Sequence, residues 1–153
     1  MRLLERRLPP PLLLAALAGA MWAARASPPT TELDDGARAG LAAGMAALGA
    51  LINALGFIAL RRAGTTFDPT RPEAACALVT SGIFRRSRNP MYLGFTLLLS
   101  GWALYLPSAW TSLGPLLFVL WVDRLQIAPE ERALRAKFGA DFEAYRRRVR
   151  RWV

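Results

Sequence analysis

From Asn89 to Val122 the chain runs for 34 residues without a charged side chain. A single helix of that length would measure about 50 Å, against a bilayer hydrocarbon core of about 30 Å. Pro107 stands near the middle, where its missing N–H and its ring break a helix. The stretch is therefore expected to fold as a helical hairpin, each arm slightly short for a membrane span. Two further uncharged runs precede it: Ala39–Leu60, 22 residues and long enough to cross, and Leu8–Ala24, 17 residues and near the lower limit. The earlier run has a rival reading as a secretory signal, with Ala24-Arg25-Ala26 before Ser27 as a cleavage pattern. The three prolines at its head, Pro9 to Pro11, are unusual for a signal.

With 54% hydrophobic and 20% charged residues in 153, the expectation is one all-α domain, an integral membrane helical bundle. It has about four transmembrane helices, two from residues 1–62. Residues 63–153 supply a loop, the hairpin and a cytoplasmic C-terminal helical cap. The charges set an orientation. Lys and Arg number three before the first run, two in the next linker and six from Arg61 to Arg88; none lies at the Pro107 turn and nine follow Asp123. That alternation follows the positive-inside rule and puts both termini and the Arg61–Arg88 loop in the cytoplasm. In a bacterial cell the membrane would be the inner one.

The formal net charge of +9 raises nucleic acid as a partner. The basic residues cluster at the ends of apolar runs, which fits membrane topology and anionic lipid headgroups instead. The lone Cys76 excludes an internal disulfide, and without histidine no metal site is expected. The commonest proton carrier near neutral pH is also missing, so reactivity must come from a cofactor or a substrate.

Local signals divide the remainder. Gly36, Gly40 and Gly44 form a smooth strip that would let another helix approach, and Asn53, mid-span, reads as an interhelical hydrogen-bonding residue. Ala74–Val79 is too short to span. Asp123-Arg124 marks the end of the hairpin, Pro129 a new helix start, Gly139 its stop and Asp141 the cap of a last helix. Phe138, Phe142, Tyr145, Val149 and Trp152 then make one apolar stripe opposite five arginines, the pattern of a helix lying on a membrane surface.

Two stretches stand out as candidates for chemistry. In Ser87–Phe95, SRNPMYLGF, Asn89 and Pro90 read as a helix cap and first turn, with Arg88 beside the free amides and Tyr92 one turn on. Arg88 and those amides would hold a carboxylate. In the second, Glu130-Glu131 occupy the first turn after Pro129, where carboxylates complement the helix dipole or grip polar groups of a ligand. Taken together, GIFRRSRNPMYLG and APEERALRAKFGADFEAYRRRV resemble the isoprenylcysteine carboxyl methyltransferase and phospholipid methyltransferase superfamily, from about Gly64 onward.

The resemblance implies S-adenosyl-L-methionine as cofactor and a lipidic substrate entering from the bilayer. It implies that Arg88, Asn89 and Tyr92 take part in catalysis. The cofactor would be bound by those three with Pro90, Gly94 and the cap residues Glu130, Glu131 and Tyr145. An isoprenylcysteine-like carboxylate is the first substrate implied and a phospholipid ethanolamine the second. A carboxylate needs no base, whereas a protonated amine must first lose a proton. Members acting on prenylated cysteine resemble R-H-P-x-Y-x-G at the first motif, while this chain has Asn89 at the second position. Two other classes remain in view: an NADPH-dependent sterol-type reductase of related architecture, which the glutamate pair disfavours, and a non-catalytic scaffold.

Overall fold

The structure, a computed structural model, describes residues 8–26, 34–65, 77–106 and 108–153. Among these residues every regular element is helical. Cys76, Pro107 and the first half of Ala74–Val79 fall outside them.

Five helices carry the fold: α1 Pro10–Ala23, α2 Asp35–Arg62, α3 Pro90–Tyr105, α4 Leu113–Val122 and α5 Ala128–Arg148. Pro10 sits in the first turn of α1 and Pro90 in that of α3, where a missing N–H costs nothing. Asp34 caps α2 by accepting from the Ala37 amide at 3.0 Å. Among the described residues only α2 is long and apolar enough to cross a bilayer; α1 is apolar but shorter.

Specific contacts fix the direction of each helix. Along α2 and α3, Ala42 lies against Gly101, Gly49 against Gly94 and Gly56 against Met91, so the two run antiparallel. Trp102 donates its indole N–H to the Ala18 carbonyl, and Ser108 reaches the Ala24 carbonyl. At the opposite end of α1, Gln126 donates to the Leu8 carbonyl at 2.7 Å. Thus α1 and α3 descend from one end of the bundle and α2 and α4 return to it. At the far end Thr111, fully buried, has its hydroxyl within reach of the Ala103, Leu106 and Ser108 carbonyls and knits the α3–α4 turn.

The core follows from helical spacing. Tyr92, Leu99 and Leu106, seven residues apart, point from α3 to Phe118, Val122, Ile127, Leu13 and Met21. The opposite edge of α3 is glycine. A Cβ on Gly94 would lie 2.7 Å from the Gly49 carbonyl, so only hydrogen permits this approach. The glycines that meet backbone carbonyls of the facing helix are therefore Gly49, Gly94 and Gly101. Gly40 and Gly44 meet nothing within 4 Å, which corrects the strip read from their spacing. Asn53 is corrected as well: its side-chain amide donates to Gly49 within its own helix, at 3.0 Å.

Two boundaries differ from the sequence reading. Asp123-Arg124, read as the end of the hairpin, instead opens a π-helical turn, Asp123–Ile127, that joins α4 to α5 without a gap. The last helix stops at Arg148 instead of continuing to Trp152, because Val149 turns to extended backbone. Phe142 and Tyr145, in the middle of the apolar stripe, are buried within the protein, so this part of the stripe packs inward. Gly139 breaks α5 as expected, at φ 49° and ψ −117°.

Candidate functional site

Four pieces of chain meet at the end of the bundle where α3 begins. They are the turn Gly82–Asn89, the first turns of α3, the π turn with the start of α5, and a strap formed by residues 149–153 after α5.

Arg88 is the hub. Its Nη2 lies 2.5 Å and its Nε 3.2 Å from Glu131 Oε1, and the two side chains are 10% and 15% exposed. Its Nη1 donates to the Val149 carbonyl at 2.6 Å, and its backbone N–H to the Arg150 carbonyl at 3.0 Å. Asn89 does not cap α3. Its side-chain amide donates to the Arg151 carbonyl at 3.0 Å, while its backbone N–H donates to the Ser87 hydroxyl. The cap role fails because the passing strap offers that amide a carbonyl acceptor. Tyr92, buried one turn into α3, donates to Glu130 Oε2 at 3.1 Å.

Sequence reasoning missed Arg151. Its Nη2 lies 2.6 Å from Glu131 Oε2 and its Nε 3.3 Å from Oε1, so two arginines embrace one carboxylate. Its Nη1 spans both oxygens of Asp123, at 3.1 and 3.2 Å, and Trp152 donates its indole N–H to the same carboxylate. No signal in the run RRRVRRWV separates Arg151 from its neighbours. Asp123 was visible only as a charge ending an apolar run.

Burial opposes the charge of Glu131, but hydrogen bonds from Arg151 and Arg88 outweigh it and hold the carboxyl below its usual range. Hydrogen bonding by Glu131 in turn raises Arg151 above an already high value. Tyr145 is pushed up to about 12 by burial; its hydroxyl donates to the Phe84 carbonyl at 2.7 Å and pins α5 to the turn.

Of the residues singled out by sequence, Arg88, Asn89, Tyr92, Glu130 and Glu131 thus come together, with Pro90 setting the first turn. Gly94 faces α2 and Tyr145 faces the Gly82–Arg85 turn. No group of ligating side chains among the described residues is arranged for a metal. What the cluster offers is cation-binding carboxylates and a phenol on one side, with guanidinium and amide donors on the other. In this structure these groups are joined to one another: Glu131 to Arg88 and Arg151, and Glu130 to Tyr92.

Two known proteins are similar to this chain. An uncharacterized protein of Haemophilus influenzae is 41% identical over 63 residues, which is 41% of this chain and all of that protein. The protein-S-isoprenylcysteine O-methyltransferase of Saccharomyces cerevisiae is 36% identical over 112 residues, 67% of this chain and 46% of the yeast protein. No solved structure matches. The profile of the phospholipid methyltransferase family matches residues 37–141, which include all but the first two residues of α2, the whole of α3 and α4, and both glutamates. A match over most of the chain, containing both halves of the Arg88–Glu131 contact, makes this protein a member of the phospholipid methyltransferase family.

Proposed function

We propose that the chain is an S-adenosylmethionine-dependent methyltransferase acting on a lipidic substrate that reaches the site from the bilayer. The observation carrying this reading is the Arg88–Glu131 contact, in which two motifs 43 residues apart meet at one end of the bundle. When bound, the cofactor supplies a methyl group on a sulfonium, already activated toward a nucleophile. The protein's part is alignment and exclusion of water. Glu130 and Glu131 would take hydroxyl or ammonium groups of the cofactor, and Arg88 with Asn89 its carboxylate. Tyr92 fixes Glu130 and shapes the wall toward the core.

We take an isoprenylcysteine-like carboxylate as the first substrate, in line with the yeast relative. A phospholipid amine is the second reading, favoured by the family profile itself. Asn89 keeps a donor but does not titrate, so an amine substrate would have to lose its proton to another group.

The bundle would be held in the bilayer by four spans, with α1, α3 and α4 shorter than α2. An outward girdle of leucines supports this, including Leu48, Leu51 and Leu55 on α2 and Leu116, Leu117 and Leu120 on α4. So do the exposed Trp22, Tyr105 and Trp110, which gather near the end away from the site as an interfacial aromatic belt does. The site end would face the cytoplasm, where exposed arginines such as Arg85, Arg86 and Arg147 meet anionic headgroups.

Titration calorimetry of the full chain in nanodiscs, with S-adenosylhomocysteine and with NADPH, tests the reading. Binding of the first is expected, and Glu131→Gln should weaken it about ten- to a hundredfold, the worth of lost charge-assisted hydrogen bonds, ~1.5–3 kcal/mol. Binding of NADPH alone would favour a reductase. No binding of either would favour a scaffold.

A further inference from the structure

We propose that Arg151 is a positioning residue of the cofactor site, holding the Glu131 carboxylate in place from the strap; this rests on the methyltransferase reading above. Three observations converge on it. Its guanidinium bonds both oxygens of Glu131 and both oxygens of Asp123, and so ties α5 to the π turn below it. Its carbonyl accepts from Asn89 and from the Ser87 hydroxyl, tying the strap to the first motif. The neighbouring Arg150 carbonyl accepts from the Arg88 amide. One residue therefore contacts both halves of the site through different atoms.

The geometry also sorts the two arginines. Arg88 binds Glu131 through Oε1 alone and spends its remaining Nη1 on the carbonyls of Val149 and Arg146. Arg151 contacts both carboxylate oxygens, and a fork across a carboxylate fixes its plane as well as its position. A ligand hydroxyl or ammonium approaching Glu131 would meet lone pairs whose direction Arg151 sets. Asp123 orients Arg151 in turn, and its Oδ1 also accepts from the Trp152 indole.

A role through Glu131 makes a pH prediction that a general structural role does not. Glu131 has a depressed pKa, so contributions from its charge are present above the usual carboxylate value and are lost as pH falls through the depressed one. The groups facing it are Arg88 from the α3 turn and Arg151 from the strap, with Asp123 beyond Arg151. Removing the Arg151 charge should raise the Glu131 pKa, and acid loss of binding should then begin at higher pH.

The experiment is S-adenosylhomocysteine titration of the full chain in nanodiscs between pH 4 and 8, for wild type, Arg151→Gln, Arg151→Lys, Asp123→Asn and Glu131→Gln. Melting curves report folding. Arg151→Gln is expected to weaken binding roughly tenfold or more and to move the acid limb upward by about one pH unit. Arg151→Lys, which keeps the charge but not the fork, should return the acid limb while recovering only part of the affinity. Asp123→Asn should weaken binding with the acid limb little moved. Adding Arg151→Gln to Glu131→Gln should cost no further affinity. Wild-type affinity and pH profile in Arg151→Gln, beside a weakened Glu131→Gln, would overturn the role of Arg151 and leave the cofactor site standing. A wild type that does not bind at all would overturn the site, and the positioning role with it.

Discussion

Gly94 shows what a single hydrogen atom decides here. A Cβ built on it would lie 2.2 Å from the Asn53 side-chain nitrogen and 2.7 Å from the Gly49 carbonyl, the second of which is backbone and does not yield. Gly94→Ala should therefore destabilise the α2–α3 pair by about 1–3 kcal/mol, as overpacking does. Gly40→Ala, with nothing within 4 Å, should be neutral or stabilise by up to ~1 kcal/mol through helix propensity. Melting of both variants checks this, and equal loss in both would sink the assignment of the contact. At this scale the sequence was partly legible. Arg88, Asn89, Tyr92, Glu130 and Glu131 were singled out through the resemblance of their two motifs, and the fold brings those motifs to one end of the bundle. The close approach at Gly94 was not legible, since a glycine gives no sign of what comes near it. Arg151 was hidden among arginines, since only a three-dimensional partner distinguishes one solvated charge from a buried ion pair.

Among the elements, the hairpin and the Gly139 break were legible because proline and glycine act locally. The π turn was not. Asp123-Arg124 looked like a terminus because charges usually end an apolar run, but here Asp123 is held by Arg151 and Trp152 and the helix carries on beneath them. The strap was likewise read as helix. Its residues keep a helical apolar period, and the competing pull of Arg88 and Asn89 on its carbonyls is tertiary. Gly139 carries a prediction at this scale. Its φ of 49° lies where a side chain is strained, so Gly139→Ala should cost about 1–3 kcal/mol of cap stability. The loss should appear as faster amide exchange in residues 140–152 while α2 and α3 keep their protection. Uniform exchange changes along the chain would contradict a locally placed bend.

Taken whole, the molecule has an up-down-up-down bundle whose two ends differ in charge, and that difference was already present in the spacing of nineteen arginines. The orientation proposed from it is open to a direct test through the single cysteine. An impermeant thiol reagent should leave Cys76 untouched in sealed cells and modify it once the membrane is opened. Labelling in sealed cells would reverse the orientation.

The joint between α4 and α5 has a mechanical consequence. With no gap from Leu113 to the Gly139 bend, the helix is one strut of roughly 39 Å, at 1.5 Å per residue. Its foot stands in the apolar girdle and its head carries both glutamates, while Arg88 rides on the oppositely directed α3. Any tilt imposed at the foot is delivered at the head as displacement of an anion from its cation. Were the girdle seated in a bilayer as proposed, the grip of the site would be geared to the thickness of the lipid around it, a lever whose load is a salt bridge.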